Sequence, residues 1–236
     1  MDPTQQAMRR QLLLALTGLL PVACAMPVRQ PAGEALAPPQ RAVRAAAIGQ
    51  RWEYRVVNVY NGLTVDQFAE TVVAADAQVR IRRSGSSAPP QPDEIHSPWG
   101  MIACDPHWDP PITFTRPIPA WPQDLASGSV QTYDRHYREV ANPDSPLWWS
   151  QRMRPVAWEE ISVPAGNFIA LRYENQISFD SGDFYRLASA RDETVWLCPQ
   201  VGRWVKRRSR GTYFLPGPGG CEMFEDYRQE DLMAWQ

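Results

Sequence analysis

The chain has 236 residues, a formal net charge of −2 at pH 7, and is 44% hydrophobic and 11% aromatic. That length suits one large domain or two small, intimate ones, and the mildly acidic balance argues against nucleic acid as the main partner. Lys206 is the single lysine among 24 basic residues, a composition bias from which no function follows.

At the N-terminus Arg9-Arg10 precedes the apolar run Leu12–Leu20, and small residues follow. The run is far shorter than the roughly 20 residues of a membrane span. The order basic, apolar, small is that of a signal peptide, predicted over residues 1–25. Two cleavage rules compete. Ala23-Cys24-Ala25 fits a general signal peptidase, which would leave a soluble chain beginning at Met26. Leu20-Pro21-Val22-Ala23-Cys24 resembles the bacterial lipobox, with Pro21 as its departure, and would make Cys24 the lipid-attachment residue. The second rule is preferred, because a tether-like stretch follows. Residues 26–47 are rich in proline and alanine, and with no tryptophan or tyrosine before Trp52 they are expected to be disordered. The folded body is expected over residues 48–236. Cys104, Cys198 and Cys221 remain after export. Two of three thiols tend to pair in an oxidising compartment, and Cys198 with Cys221 is the expected pair.

The body opens on strand patterns. In Gly49–Val73, Asn61-Gly62 is a strong hairpin signal. A two-residue loop there would place Trp52, Tyr54, Val56 and Tyr60 on one buried face with Leu63 and Val65. Glu53, Arg55, Asp66 and Glu70 would take the other. A third strand is expected at Gln78–Arg83. Ser84–Leu125 then carries ten of the 23 prolines, with Trp99, Trp108 and Trp121. Proline cannot donate to a ladder, so this stretch is expected as an ordered Pro/Trp-rich strap over the sheet.

From Ser129 strands are expected at 130–140, 148–154, 156–163, 167–179, 184–191, 194–198, 203–214 and 222–232. Marked turns include Asn142-Pro143-Asp144, Pro164-Ala165-Gly166 and Pro199-Gln200-Val201-Gly202. Short connections between successive strands make an antiparallel meander. The expected fold class is all-β, a curved antiparallel sheet or incomplete β-barrel. Similar openings at Gly49–Tyr60 and Gly128–Tyr137 leave room for two related halves, 48–126 and 127–236.

Within "EEISVPAGNFIALRYENQ" and "TVWLCPQVGRWVKRRSRGTYF", the pattern V-x-V-P-A-G-x-F followed by W-x-x-P-x-V-G-x-x-V resembles a family of uncharacterised secreted bacterial β proteins. These are similar in architecture to lipoprotein-carrier half-barrels. The matching residues are Val163, Pro164, Ala165, Gly166, Phe168, Trp196, Pro199, Val201, Gly202 and Val205. They are turn and core residues, so the resemblance implies a fold and a compartment and supplies no catalytic group.

Chemistry-bearing patterns are few. Asp105-Pro106-His107-Trp108-Asp109 reads as a surface turn with capping aspartates. No H-x-x-x-H or C-x-x-C spacing supports a metal site, and no cofactor signature is present. Cys104 lacks a nucleophile signature, and adjacent Glu159 and Glu160 point to opposite faces of a strand. No catalytic residue is assigned. In "RWVKRRSRG", Lys206, Arg208 and Arg210 share a strand face and are candidates for binding anionic groups. The commoner use of such a row is to guard an edge strand. Trp99, Trp108, Trp121, Trp148 and Trp149 are candidate groove or strap aromatics.

The expected function is a non-enzymatic bacterial envelope protein, lipid-anchored on the periplasmic face. It would bind a hydrophobic or amphipathic envelope component in a concave β groove. A structural lipoprotein docking a protein partner through a strand edge, and a hydrolase with its site in the strap, are the alternatives. Expected partners are the membrane, through the anchor, and a lipid, lipoprotein or other envelope protein. Ala25 in place of aspartate after Cys24 points to the outer membrane; without acylation the chain would be soluble in the periplasm.

Overall fold

In the computed structural model the described residues are 36–39, 42–87, 89–217 and 219–236, and no helix occurs among them. Residues 1–25, Cys24 and the first part of the expected tether lie outside the described residues. Thirteen strands follow in order: β1 (Arg51–Asn58), β2 (Thr64–Ala75), β3 (Val79–Ser84), β4 (Glu94–His96), β5 (Met101–Asp105), β6 (Ile112–Pro119) and β7 (Gln131–Glu139). Then come β8 (Asn142–Val163), β9 (Gly166–Phe179), β10 (Leu187–Cys198), β11 (Arg203–Leu215), β12 (Cys221–Phe224) and β13 (Arg228–Trp235).

Neighbouring strands pair antiparallel from β1 through β11, and β13 joins β11 to β1. The curved sheet therefore goes on to close, into a twelve-strand barrel. β12 lies outside that count, paired with β11 beyond the point where β13 ends. Closure removes the free edges that an open sheet presents.

The strap expected at Ser84–Leu125 is instead three short strands of the barrel wall, β4, β5 and β6. Most of its prolines sit where pairing is absent or broken, while Pro119 stands at the end of β6 opposite Met101. Pro98 lies in the β4–β5 turn, and Pro106, Pro110 and Pro111 lie between β5 and β6. Pro117 lies in the interrupted part of the β5–β6 ladder, past Phe114, where pairing with β7 ends. The β7–β8 turn falls at Val140-Ala141, two residues before the expected Asn142-Pro143-Asp144, and β8 runs through what read as two strands.

The β1–β2 connection is longer than Asn61-Gly62 alone: the Asn58 N–H donates to Leu63 O at 2.9 Å. The pairing above it sets Val56 against Asp66, Tyr54 against Phe68 and Trp52 against Glu70. A shift of this size exchanges the two faces of a strand. Asp66, Phe68 and Glu70 thus share the face of Trp52 and Tyr54, while Tyr60, Leu63 and Val65 are exposed.

The resembling motifs occupy the β8–β9 and β10–β11 turns. Val163, Phe168, Trp196, Val201 and Val205 belong to one core cluster with Trp52 and Tyr54. Gly202 has φ +78, and a Cβ there would meet Arg44 O at 2.9 Å. That close approach is part of how residues 42–47 lie on the barrel. The Arg44 N–H donates to Pro199 O, and Val43 and Ala46 pack against core clusters.

The three cysteines are free, Cys104 and Cys198 buried and Cys221 exposed. Cys198 lies opposite Arg203 and Cys221 opposite Leu215. Twelve residues of strand separate those positions, about 40 Å, against the 7 Å that a disulfide tolerates between Cα atoms. The expected Cys198–Cys221 pair is therefore not formed.

Candidate functional site

The barrel interior is polar at its centre. Glu70 of β2 and Glu94 of β4 both reach Arg203 of β11, with Nη2 at 2.7 Å from Glu70 Oε2 and 2.5 Å from Glu94 Oε2. These strands are not neighbours in the wall, so the three side chains meet across the lumen. Arg203 also lies over the Trp204 ring, 4.0 Å from its centroid. Arg83 Nη2 donates to Glu70 Oε1 at 3.0 Å.

His107 sits in the same cluster. Its Nε2 is 2.7 Å from Glu70 Oε1 and its Nδ1 is 2.7 Å from Asp105 Oδ1. Both ring nitrogens face carboxylates, so the ring is held as a doubly protonated cation. Burial and Arg83 oppose that charge, but Glu70 and Asp105 outweigh them and push its pKa up to about 9. Burial likewise opposes ionisation of the acids. Arg203 and His107 hold Glu70 well below the carboxylate range, Arg203 and the His96 hydrogen bond do so for Glu94, and His107 lowers Asp105. Three carboxylates thus face the three cations Arg83, Arg203 and His107.

His96 completes the cluster at one end. Its Nδ1 accepts the Gly100 N–H at 3.1 Å, which leaves the proton on Nε2, donated to Glu94 Oε1 at 2.5 Å. Gly100 has φ +85, and a Cβ there would strike the Trp121 ring at 2.7 Å. The turn that places the donor is therefore specific to glycine.

The geometry restricts the chemistry. Glu70, Glu94 and His107 lie close enough to share a metal ion, but the Arg203 guanidinium already bridges the two glutamates as a cation would. His107 has no free lone pair to act as a base. Cys104 is buried beside the acids Asp105 and Glu94, and its thiol is pushed up to about 11, away from nucleophilic use. The cluster neutralises itself. Removing one partner of such a buried pair costs about 3–5 kcal/mol.

A second interior pair lies alongside. Glu193 of β10 accepts from Asn175 Nδ2 at 2.8 Å and pairs with Arg207. Between the two networks, Trp108, Trp149, Tyr173 and Trp204 line a cavity of about 50 Å³, room for a few waters and not for an acyl chain. Towards the end of the barrel that carries the β1–β2 and β9–β10 connections, the lumen widens into a cavity of about 450 Å³. Arg83, Arg186, Arg191, Arg207 and Arg228 line it, as do Asp66, Glu225 and Glu230, and His107 reaches it from the cluster. Glu225 accepts from Arg186 at 2.7 Å and Arg191 at 3.2 Å. Arg191 lies 3.9 Å over the Trp108 ring.

The expected surface turn at Asp105–Asp109 is corrected by this arrangement: Asp105 and the His107 side chain are buried. The five tryptophans do not line one groove. Trp108 and Trp149 pack inside, 4.9 Å apart. Trp99 and Trp121 meet near His96. Trp148, one residue from an interior neighbour, is exposed. Lys206, Arg208 and Arg210 alternate with the cavity residues Arg207, Ser209 and Gly211, and so point out of the wall. Lys206 lies near Asp231, Arg208 donates to Gln229, and Arg210 covers Phe224. Glu70, Glu94, Arg83, Arg203 and Glu193 were not singled out from the sequence. Each stands in a strand with no spacing motif, and only the β1–β2 register carried a signal for Glu70.

No protein-family model matches this chain, and no curated protein matches it either. Two solved structures share its fold. One is a predicted lipoprotein from Parabacteroides distasonis, with TM-score 0.54, 12% identity, and coverage of 83% of this chain and 99% of the other. The second is a predicted exported protein with YmcC-like fold from Bacteroides fragilis, with TM-score 0.52, 10% identity, and the same coverage of each chain.

Proposed function

We propose that this chain is an exported, lipid-anchored envelope protein that acts by binding, and that its ligand is an amphipathic envelope component held by its polar head. The reading is carried by the cavity of about 450 Å³, a concave polar site lined by five arginines at an open barrel end. The tight, self-neutralised cluster below it is a rigid floor. It favours binding over catalysis because neither His107 nor Cys104 is poised near neutral pH. The signal run, the lipobox-like Cys24 and the lipoprotein and exported proteins of the same fold support the compartment. Ala25 after Cys24 favours the outer membrane. The interior offers too little apolar space for a ligand's tail, so any tail lies outside the lumen.

The test is titration with lysophosphatidylethanolamine below its micelle concentration, followed by tryptophan fluorescence, since Trp108 lies under Arg191. Saturable one-to-one binding is expected, weakened at least tenfold by Arg186→Ala with Arg191→Ala. Unchanged binding by that variant, or equal binding of a hydrocarbon without a head group, rejects the reading.

A further inference from the structure

Most of the exposed large apolar side chains of the barrel stand towards one end, with Ile48, Val130, Ile169 and Met233 towards the other. Tyr60 and Leu63 stand on the β1–β2 tip, Val140 on the β7–β8 turn, Phe184 and Tyr185 on the β9–β10 connection, and Phe224 at the end of β12. Contacts tie these tips into one rim. The Val59 N–H donates to Tyr227 O beside β12, Val140 bonds to Pro111 O, and the Tyr137 hydroxyl donates to Asp180 O in the β9–β10 connection. The rim surrounds the mouth of the polar cavity, to which Phe224 itself contributes.

We propose that this rim seats the barrel on a zwitterionic phospholipid surface, with the cavity mouth facing the lipid headgroups. The proposal rests on the cavity reading above and adds where the ligand comes from. Two observations favour a lipid surface. The apolar groups stand on separate protruding tips, with ion pairs such as Arg186–Glu225 and Arg228–Asp226 near them. Aromatic rings and paired charges at one level suit the mixed chemistry of a bilayer interface. The carboxylates of Asp109, Glu225 and Asp226 stand at the mouth beside the arginines, so the rim has no excess of positive charge to draw it to anionic lipid. The lipid-attachment residue expected at Cys24 lies twelve residues before Leu36, a span of at most about 43 Å. Leu36 bridges Trp158 near the β8–β9 turn, so such a tether leaves from the barrel end opposite the rim and does not itself orient the mouth.

The test uses the full acylated chain in phosphatidylethanolamine and phosphatidylcholine vesicles, with Cys221→Ser to remove the exposed thiol. A polarity-sensitive fluorophore is placed at Phe184→Cys and, as the control at the opposite barrel end, at Met233→Cys. Both sites are exposed, so neither label disturbs the core. The Phe184 label should shift to the blue and be quenched by brominated acyl chains at least threefold more than the Met233 label. Equal quenching, with the protein still on the vesicles, overturns the proposal and leaves the anchor intact. Quenching that persists when Arg186→Ala with Arg191→Ala abolishes amphiphile binding supports the seat independently of the cavity. A chain that lacks acyl groups yet reaches the vesicles by its rim also supports it. One that stays in solution overturns it, as does shielding of Phe184 that occurs without vesicles, which marks a protein contact.

Discussion

His107 is the residue whose charge connects the interior to pH. Its folded pKa of about 9 lies above the ordinary 6.5. The stability from its pairing is complete below about pH 6.5 and is lost as pH rises through about 9. Glu70, Glu94 and Asp105 are depressed, so their contribution is complete above the ordinary carboxylate range and is lost as pH falls. Maximal stability is expected between about pH 5 and 6.5. Urea midpoints at pH 6 and pH 9 check this. The wild-type chain should lose stability at pH 9, and His107→Gln should be less stable at pH 6 with the alkaline decline abolished. An equal wild-type midpoint at both values would show that His107 does not carry the charge. The sequence held the Asp105-Pro106-His107 proximity in plain view. It did not show that the turn is folded inward, because that depends on Glu70 and Arg203, which are far away in the chain.

At the scale of the element, the register of β11 decides which cations line the lumen. The β10–β11 pairing shifts between Trp196 and Leu197, where Lys206 and Trp204 are their partners and Val205 is the extra residue. Such a bulge re-aims the strand. It lets both Trp204 and Arg207 face inward and keeps Lys206, Arg208 and Arg210 on the outside. Inserting an alanine between Trp196 and Leu197, opposite Val205, is expected to abolish the folded state, because a regular ladder cannot hold Trp204 and Arg207 inward together: either Arg207 turns outward and Lys206 enters the lumen, or Trp204 leaves it. Val205→Ala should remain folded and lose about 2 kcal/mol. Near-ultraviolet circular dichroism separates the two, and an insertion variant with a native spectrum would remove the bulge from the account. Period-two alternation correctly put Lys206, Arg208 and Arg210 on one face. It had no means of finding the bulge that sets which face that is. The β1–β2 hairpin repeats the lesson. Asn61-Gly62 marked the turn, but the longer loop sent Glu70 to the buried side.

At the scale of the whole molecule, closure is the main event. β10 joins β11 and β1 joins β13, so nearly every strand has partners on both sides. β12 pairs only with β11, through four residue positions. Amide exchange should therefore be fastest in β12 among the strands and slowest in β9 and β10, whose ladders are long. Strong protection across Cys221–Phe224 in the monomer would mean that this edge is covered. The expected strand-edge docking alternative narrows to that short edge, since a closed barrel offers few other places for strand addition.

Composition and local pattern were enough to determine an all-β antiparallel chain whose tight turns are at Pro164-Ala165 and Pro199–Gly202. Alternation and turn chemistry are local, and they act within a few residues. The closed barrel, the inward β4–β6 segment and the polar interior were decided only by tertiary structure. A proline-rich stretch can be wall if its prolines fall at the gaps in the ladder, as Pro98 and Pro117 do. A carboxylate can be buried if a cation waits for it across the lumen, as Arg203 does for Glu70 and Glu94. The second condition joins residues more than a hundred positions apart, and the physical reason for their pairing exists only once the sheet has closed.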